Sequence, residues 1–393
     1  MPRRPTLALL CCSLMTAAGC TDEPRPEPDF YLGGIQVDEE DLEHWFATLE
    51  DAGMNTVSVT EYARHGEWDS DQLSWDCEDR DLVKEIRGAE KRGLAVVLIL
   101  RVELDPDLER NKFLWHGMIL PHGDERIASW FDKYTRFALQ WAEIAEREGV
   151  DVLMIGSELN ALASTFSLTE LPGLEEYYLN PDKQSERRDK VLEHRDVLAA
   201  ADPRRQDGRD ELGDVEEYLD ARIASERAWA EQVTLGGGGT SLGDLKRRRQ
   251  QLAGHWRTLI RRLRDIYRGR LGYAANFDQY RDIAFWPELD VMGINAYFKL
   301  RDRPIAAGYD PGELSARLLE GWRRALDEIG GFRTAHSLDD QPVIFTEMGY
   351  TYRLNSTLEP WADDGFSLIR FDGREQPIVW RKQPESFEER ALA

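Results

Sequence analysis

Residues 342–350 read Pro342-Val343-Ile344-Phe345-Thr346-Glu347-Met348-Gly349-Tyr350. An apolar, β-branched run ends abruptly on a carboxylate, and Gly349 then frees the backbone to turn. A run of this length between Pro and Gly reads as a strand buried on both faces, the kind a parallel sheet uses. A Glu at the carboxyl end of such a strand stands where a parallel α/β barrel gathers its chemistry. Taken alone, Glu347 reads better as a solvated residue just past a core strand. A second stretch of the same design reverses that preference: Val150-Asp151-Val152-Leu153-Met154-Ile155-Gly156-Ser157-Glu158-Leu159-Asn160.

Two strand-terminal carboxylates can converge over one barrel mouth. Such a pair is the minimal equipment for glycoside hydrolysis, with one carboxyl as acid and base and the other as nucleophile or base. The interval between Glu158 and Glu347 is long enough for the βα units that a barrel needs between them.

The rest of the chain follows that alternation. Strands are expected at Phe30–Gln36, Asn55–Thr60, Leu94–Leu100, Leu271–Ala275 and Leu289–Ile294. The second and third lead into polar loops, Glu61–His65 and Arg101–Asp105. Helices are expected after Asp38, which could cap the first, and over Asp79–Arg92 and Asp124–Glu148. The last carries Ile127, Trp130, Phe131, Tyr134, Phe137, Trp141 and Ile144 on one face, and Gly93 and Gly149 end the second and third. Strands alternating with helices predict an α/β fold, a (β/α)8 TIM barrel. From about 165 to 253 charge density rises, strand-like runs vanish and Gly236–Gly239 interrupts the chain. Two helical pieces, about 184–200 and 214–233, predict a helical insertion on the catalytic face. It reads equally as a solvated decoration without a role in binding. An eighth strand is hard to find. Residues 351–376 lack a helical period, Ile378–Trp380 could be a strand with no helix before it, and a helix starts near Glu385. The expectation is a barrel without its eighth strand and a truncated C-terminus. Such a barrel would show an open gap, or the 369–380 segment standing in it.

The chain has 393 residues and a formal net charge of −24, which argues against nucleic acid and anionic membrane as partners. A neutral glycan remains compatible. Residues 1–19 read as a signal peptide: Arg3 and Arg4 precede an apolar stretch, Leu7–Met15, too short to span a bilayer. Ala17-Ala18-Gly19-Cys20 has the form of a bacterial lipobox, with Cys20 as the lipidated residue. Residues 20–29 then suit a flexible tether, and 30–393 the barrel domain. This places the protein in the bacterial cell envelope, at the outer membrane or cell surface, touching membrane through its lipid only. Cys77 is the one thiol of the mature body and reads as structural.

Several motifs carry a resemblance. Gly156-Ser157-Glu158-Leu159, Ala275-Asn276-Phe277-Asp278, Phe285-Trp286-Pro287-Glu288-Leu289-Asp290 with Gly293 and Tyr297, and Phe345-Thr346-Glu347-Met348-Gly349-Tyr350 resemble glycoside hydrolase family 113. Those are retaining (β/α)8 enzymes of clan A, chiefly β-mannanases. The resemblance implies Glu158 as acid/base and Glu347 as nucleophile, the residues already found. It also implies a raised Glu158 pKa, by burial or by Glu347. The chain departs from the clan at Ser157, where many members carry an Asn that contacts the sugar 2-hydroxyl. Substrate-binding candidates are Arg101, Trp115, Ser157, Asn276, Trp286, Tyr297 and Trp361. Arg101 could instead be a structural ion pair, Tyr297 a buried phenol, and each Trp core.

The seven His form no HxxxH or HxH pair, and Gly236–Gly239 lacks the Lys-Ser/Thr of a phosphate loop, so no metal or cofactor is expected. The reading is a monomeric retaining glycoside hydrolase on an oligo- or polysaccharide, β-mannan or a related β-linked glycan. The competing reading is a catalytically silent barrel lipoprotein that binds glycan or a protein partner.

Overall fold

The computed structural model describes residues 30–35, 41–76, 80–164, 178–194, 215–235, 242–306, 308–362 and 366–393. Cys20, Asp38, Cys77 and Gly236–Gly239 lie outside them. The barrel strands are β1 (Gly33–Ile35), β2 (Thr56–His65), β4 (Ala95–Leu104), β5 (Val152–Ser157), β6 (Arg270–Asn276), β7 (Val291–Asn295) and β8 (Val343–Glu347). They pair in parallel in that order. A short β3 (Leu73–Ser74) pairs antiparallel with the end of β2.

The helices between them are α1 (Leu42–Asp51), α2 (Arg80–Lys91), α3 (Gly123–Arg147) and the short α4 (Asn160–Ser164), then α5 (Pro181–Leu192), α6 (Val215–Leu235), α7 (Leu242–Arg264) and α8 (Pro311–Ala335). Asp41 caps α1 by accepting from the His44 amide at 3.1 Å. Gly93 and Gly149 end α2 and α3 with φ of 73° and 72°, conformations that cost a side-chain-bearing residue more. The two helical pieces of the insertion are α5 and α6. Its far boundary moves, because α7 starts at Leu242 and runs unbroken into the helix that packs on the sheet, so residue 253 falls inside a helix.

Among the described residues the hydrophobic pattern builds four clusters, two of which belong to the barrel strands. Inward-pointing Val97, Ile99, Val152, Met154 and Val291 fill the bore. The outward residues of the same strands meet the helices in a larger cluster that includes Trp130, Trp141, Trp256 and Trp286, all fully buried. Truncating any of those indoles to Ala removes about 3–5 kcal/mol.

β2 and β4 are longer than expected. Both continue through the stretches read as polar loops, to His65 and Leu104, because they stay paired to each other over ten consecutive positions. Among the described residues no strand pairs with the free edge of β8 or of β1, so the expected gap is present. The 369–380 segment does not fill it. It belongs to a separate antiparallel hairpin, β9 (Phe366–Phe371) and β10 (Arg374–Val379), paired only with itself.

The chain past β8 is fastened by a buried polar cluster. Helix α9 (Phe387–Leu392) brings in Glu389, wholly buried, whose carboxylate accepts from Arg301 at 2.7 Å, from the Asn355 amide at 2.7 Å and from the Thr357 hydroxyl at 2.7 Å. Arg301 also donates to Thr357 at 2.7 Å and to Asn355 at 3.0 Å. The buried polar side-chain atoms of Glu389, Arg301 and Thr357 therefore each have a partner.

Candidate active site

Two bulges aim the site. Alternation along β8 from inward-facing Ile344 would point Thr346 into the barrel and Glu347 out of it. Instead the register skips a residue, pairing Ile294 with Phe345 but Asn295 with Glu347. That extra residue puts Glu347 on the inner side, beside Asn295. β5 does the same: Met154 pairs with Gly272, Ser157 with Ala274. Gly156 is thereby turned outward, where a Cβ would come within 3.0 Å of Trp256 and Tyr273. Ser157 turns inward and is fully buried. Glu158 then adopts a left-handed backbone, φ 51°, unusual for a residue with a side chain. It is held there from both sides: its amide donates to the Ala274 carbonyl at 2.9 Å, and the next amide, of Leu159, donates to the buried Tyr273 hydroxyl at 3.0 Å.

Around Glu347, Asn295 donates to one carboxylate oxygen at 2.9 Å and Tyr297 to the other at 2.8 Å, while Arg101 forms an ion pair with it. Asn295 is itself oriented by the Thr346 hydroxyl, which donates to its amide oxygen at 2.7 Å. Burial, and after it the charge of Glu158, pushes the Tyr297 phenol pKa up, so it stays a donor. Around Glu158, the His116 Nε2 lies 3.0 Å from a carboxylate oxygen. Burial pushes the Glu158 carboxyl pKa up, but the His116 hydrogen bond and charge, then Asn295 and Arg101, outweigh it and hold the pKa below its ordinary value. This overturns the expected raised pKa for the free site.

His116 comes from a turn of 3-10 helix, His116–Met118, in the loop after β4. The insertion braces that loop. Trp229 of α6, fully buried, donates to the Met118 carbonyl at 2.9 Å, and Gln232 donates to the Leu120 carbonyl at 3.2 Å. α6 is thus no solvated decoration.

Of the sequence candidates, Glu158, Glu347, Arg101, Ser157 and Tyr297 come together. Ser157 accepts from Asn295 at 3.4 Å. Trp115 stands at the mouth edge-on to His116, with 37% exposure. Asn276, at the end of β6, accepts from the Phe277 amide at 2.9 Å and caps its own turn. Trp361 is half-exposed, stacked on Phe277, with the Lys299 ammonium 4.9 Å from its ring centre. Trp286 is a correction. It is 1% exposed and donates to the Tyr280 carbonyl at 2.7 Å, so it belongs to the core and offers no face to a sugar. Sequence reasoning missed His116, which follows Trp115 without any motif, and Asn295, whose place at the end of β7 was the available signal. Among the described residues no cluster of His, Cys, Asp and Glu could hold a metal, and no helix is long and apolar enough to cross a membrane.

A parallel barrel with two carboxylates at the strand ends, one embraced by Asn, Tyr and Arg, defines a TIM-barrel glycoside hydrolase. The profile of Glycoside Hydrolase Family 113 matches residues 36–165 and 226–390, and the chain belongs to that family. Its substrate is accordingly a carbohydrate. Two solved structures resemble it in fold. The GH113 β-mannanase AaManA of Alicyclobacillus acidocaldarius shares 15% identity at a TM-score of 0.52, over 90% of this chain and 74% of that one. A GH113 β-1,4-mannanase shares 16% at 0.51, over 92% and 80%. No curated protein matches.

Proposed function

We propose that the enzyme, acting as a monomer, cleaves β-mannan or a related β-linked glycan by double displacement. One observation carries the mechanism: Asn295 donates to Glu347 at 2.9 Å and to Ser157, the residue before Glu158, at 3.4 Å, so both carboxylates flank the same amide group. That is the paired placement a double displacement asks of its two carboxylates. Glu347 attacks the anomeric carbon as Glu158 gives its proton to the leaving oxygen. The sugar–oxygen bond breaks and a glycosyl ester forms on Glu347. Substrate filling the site removes water and strengthens the upward push of burial on Glu158. Once Glu347 is esterified, Glu158 takes a proton from water, whose oxygen displaces Glu347 with a second inversion. The low pKa of Glu158 suits this second step. The solved β-mannanases support the choice of glycan.

The test is a panel of β-mannan, glucomannan and β-glucan oligosaccharides, with product anomers followed by proton NMR. Release of the β-anomer first is expected, and first release of the α-anomer refutes double displacement. Cleavage of β-glucan but not of mannan assigns the related glycan in place of β-mannan, and cleavage of none of the panel refutes the substrate. For location we propose a lipid anchor at Cys20 in the bacterial envelope. Cys20→Ser should leave the membrane fraction, and a variant still held there refutes the anchor.

A further inference from the structure

The barrel strands are of unequal length, and the inequality is placed beside the catalytic carboxylates. β2 and β4 rise past the others, and β3 stiffens the tip of β2 by pairing Ser74 with Arg64 and Leu73 with His65. Alternation decides which side chains this raised wall turns toward the site. Val97 and Ile99 fill the bore, so Arg101 and Glu103 continue the same inward row on β4. Their register partners on β2 are Tyr62, opposite Arg101, and Arg64, opposite Glu103. Arg101 forms the ion pair with Glu347. Tyr62, Arg64 and Glu103 therefore form a ledge that climbs outward from the nucleophile.

The ledge is open. A hollow of about 280 Å³ lies between Arg101, His116, Trp115, Tyr62 and Glu103, and a second of about 310 Å³ between Tyr62, Glu103, Arg64 and Trp75. They share Tyr62 and Glu103 as lining, so the two hollows lie side by side from the residues touching both carboxylates to the tip of the wall. The Tyr62 ring is 48% exposed. Arg64 and Glu103 are exposed too and, though opposite one another, form no ion pair. A half-exposed aromatic face flanked by unengaged hydrogen-bonding groups matches a pyranose, which has apolar C–H faces and a rim of hydroxyls.

We propose that this ledge is a remote sugar subsite, binding a pyranosyl residue of the same glycan beyond the one being cleaved. Tyr62 is the stacking platform, and Arg64 and Glu103 bind hydroxyls. The inference rests on the β-mannan reading above. The subsite contributes to longer substrates only, so its signature is a gain of kcat/KM with chain length. The experiment compares Tyr62→Ala and Arg64→Ala/Glu103→Ala with the unmodified enzyme on manno-oligosaccharides from trisaccharide to hexasaccharide. The ratio of kcat/KM for hexasaccharide over trisaccharide should fall about tenfold in Tyr62→Ala and severalfold in the double variant. Unfolding midpoints are recorded alongside, because all three side chains are exposed and should leave them unchanged. A ratio that stays within about twofold of the unmodified enzyme in both folded variants overturns the subsite while the substrate reading stands. An unmodified enzyme that cleaves no manno-oligosaccharide overturns the substrate reading, and this inference with it.

Discussion

Replacing His116 by Phe should move the activity of this enzyme to higher pH. His116 is the side chain that does most to hold Glu158 ionised against the push of burial. Phe keeps the ring and its edge-on contact with Trp115 but removes the group 3.0 Å from the carboxylate. The sign follows directly. Removing a partner that favours the charged form raises the Glu158 pKa, so the proton it must donate is retained to higher pH. A hydrogen bond to a charged group contributes about 1.5–3 kcal/mol, and the 27% exposure of the His116 side chain puts this one at the lower end through solvent screening. The assay is kcat/KM against pH on an unactivated manno-oligosaccharide, whose sugar leaving group needs the proton, so that the basic limb reports the acid in the free enzyme. That limb should move to higher pH in His116→Phe and by less in His116→Asn, which keeps a donor. A limb that stays in place or moves down refutes the coupling. A uniform fall in rate with an unchanged profile would assign His116 a purely structural part.

Three further outcomes are expected. Glu389→Ala leaves the Arg301 charge buried without its counter-ion and should lower stability by about 3–5 kcal/mol in urea unfolding, and a loss under about 1 kcal/mol would contradict the cluster's role. Tyr297→Phe removes one donor from Glu347 and should reduce kcat/KM about tenfold with the unfolding midpoint unchanged, so an unaltered rate would place the tyrosine outside the machinery. Trp286→Ala should cost about 3–5 kcal/mol of stability while leaving chain-length preference alone, and a selective loss on long glycans would restore it as a platform.

The barrel was legible in the chain because continuous apolar runs ending at Glu158 and Glu347 alternate with helical stripes such as Ile127–Ile144. The identity of the two carboxylates was legible for the same reason. Their aim was not. Strict alternation points Glu347 away from the site, and only the one-residue bulges seen in the pairing of β5 and β8 correct it. Nothing in Phe345-Thr346-Glu347 announces a bulge, because it arises from competition between neighbouring strands. The ends of β2 and β4 were misread as loops since Glu61-Tyr62-Ala63-Arg64-His65 is polar, although half of it faces an open groove. Trp286 was misassigned because an indole suits a sugar and a core equally well, and only burial separates the two. His116 was invisible in sequence, since its loop is positioned by Trp229, more than a hundred residues away.

Among the described residues, the unpaired edges of β1 and β8 make this barrel a split ring. A closed hoop resists widening everywhere; a split one is compliant at its gap and stiff opposite. Glu347 is carried on the lip of the split, and Glu158 stands three strands away on the continuous arc. Spreading of the lips therefore alters the span between the two carboxylates, the dimension on which the proposed double displacement depends. Arg101 and Asn295 reach Glu347 from the arc and act as a clasp across that span. The spacing of the two carboxylates is thus held by side chains where a sealed barrel would rely on backbone.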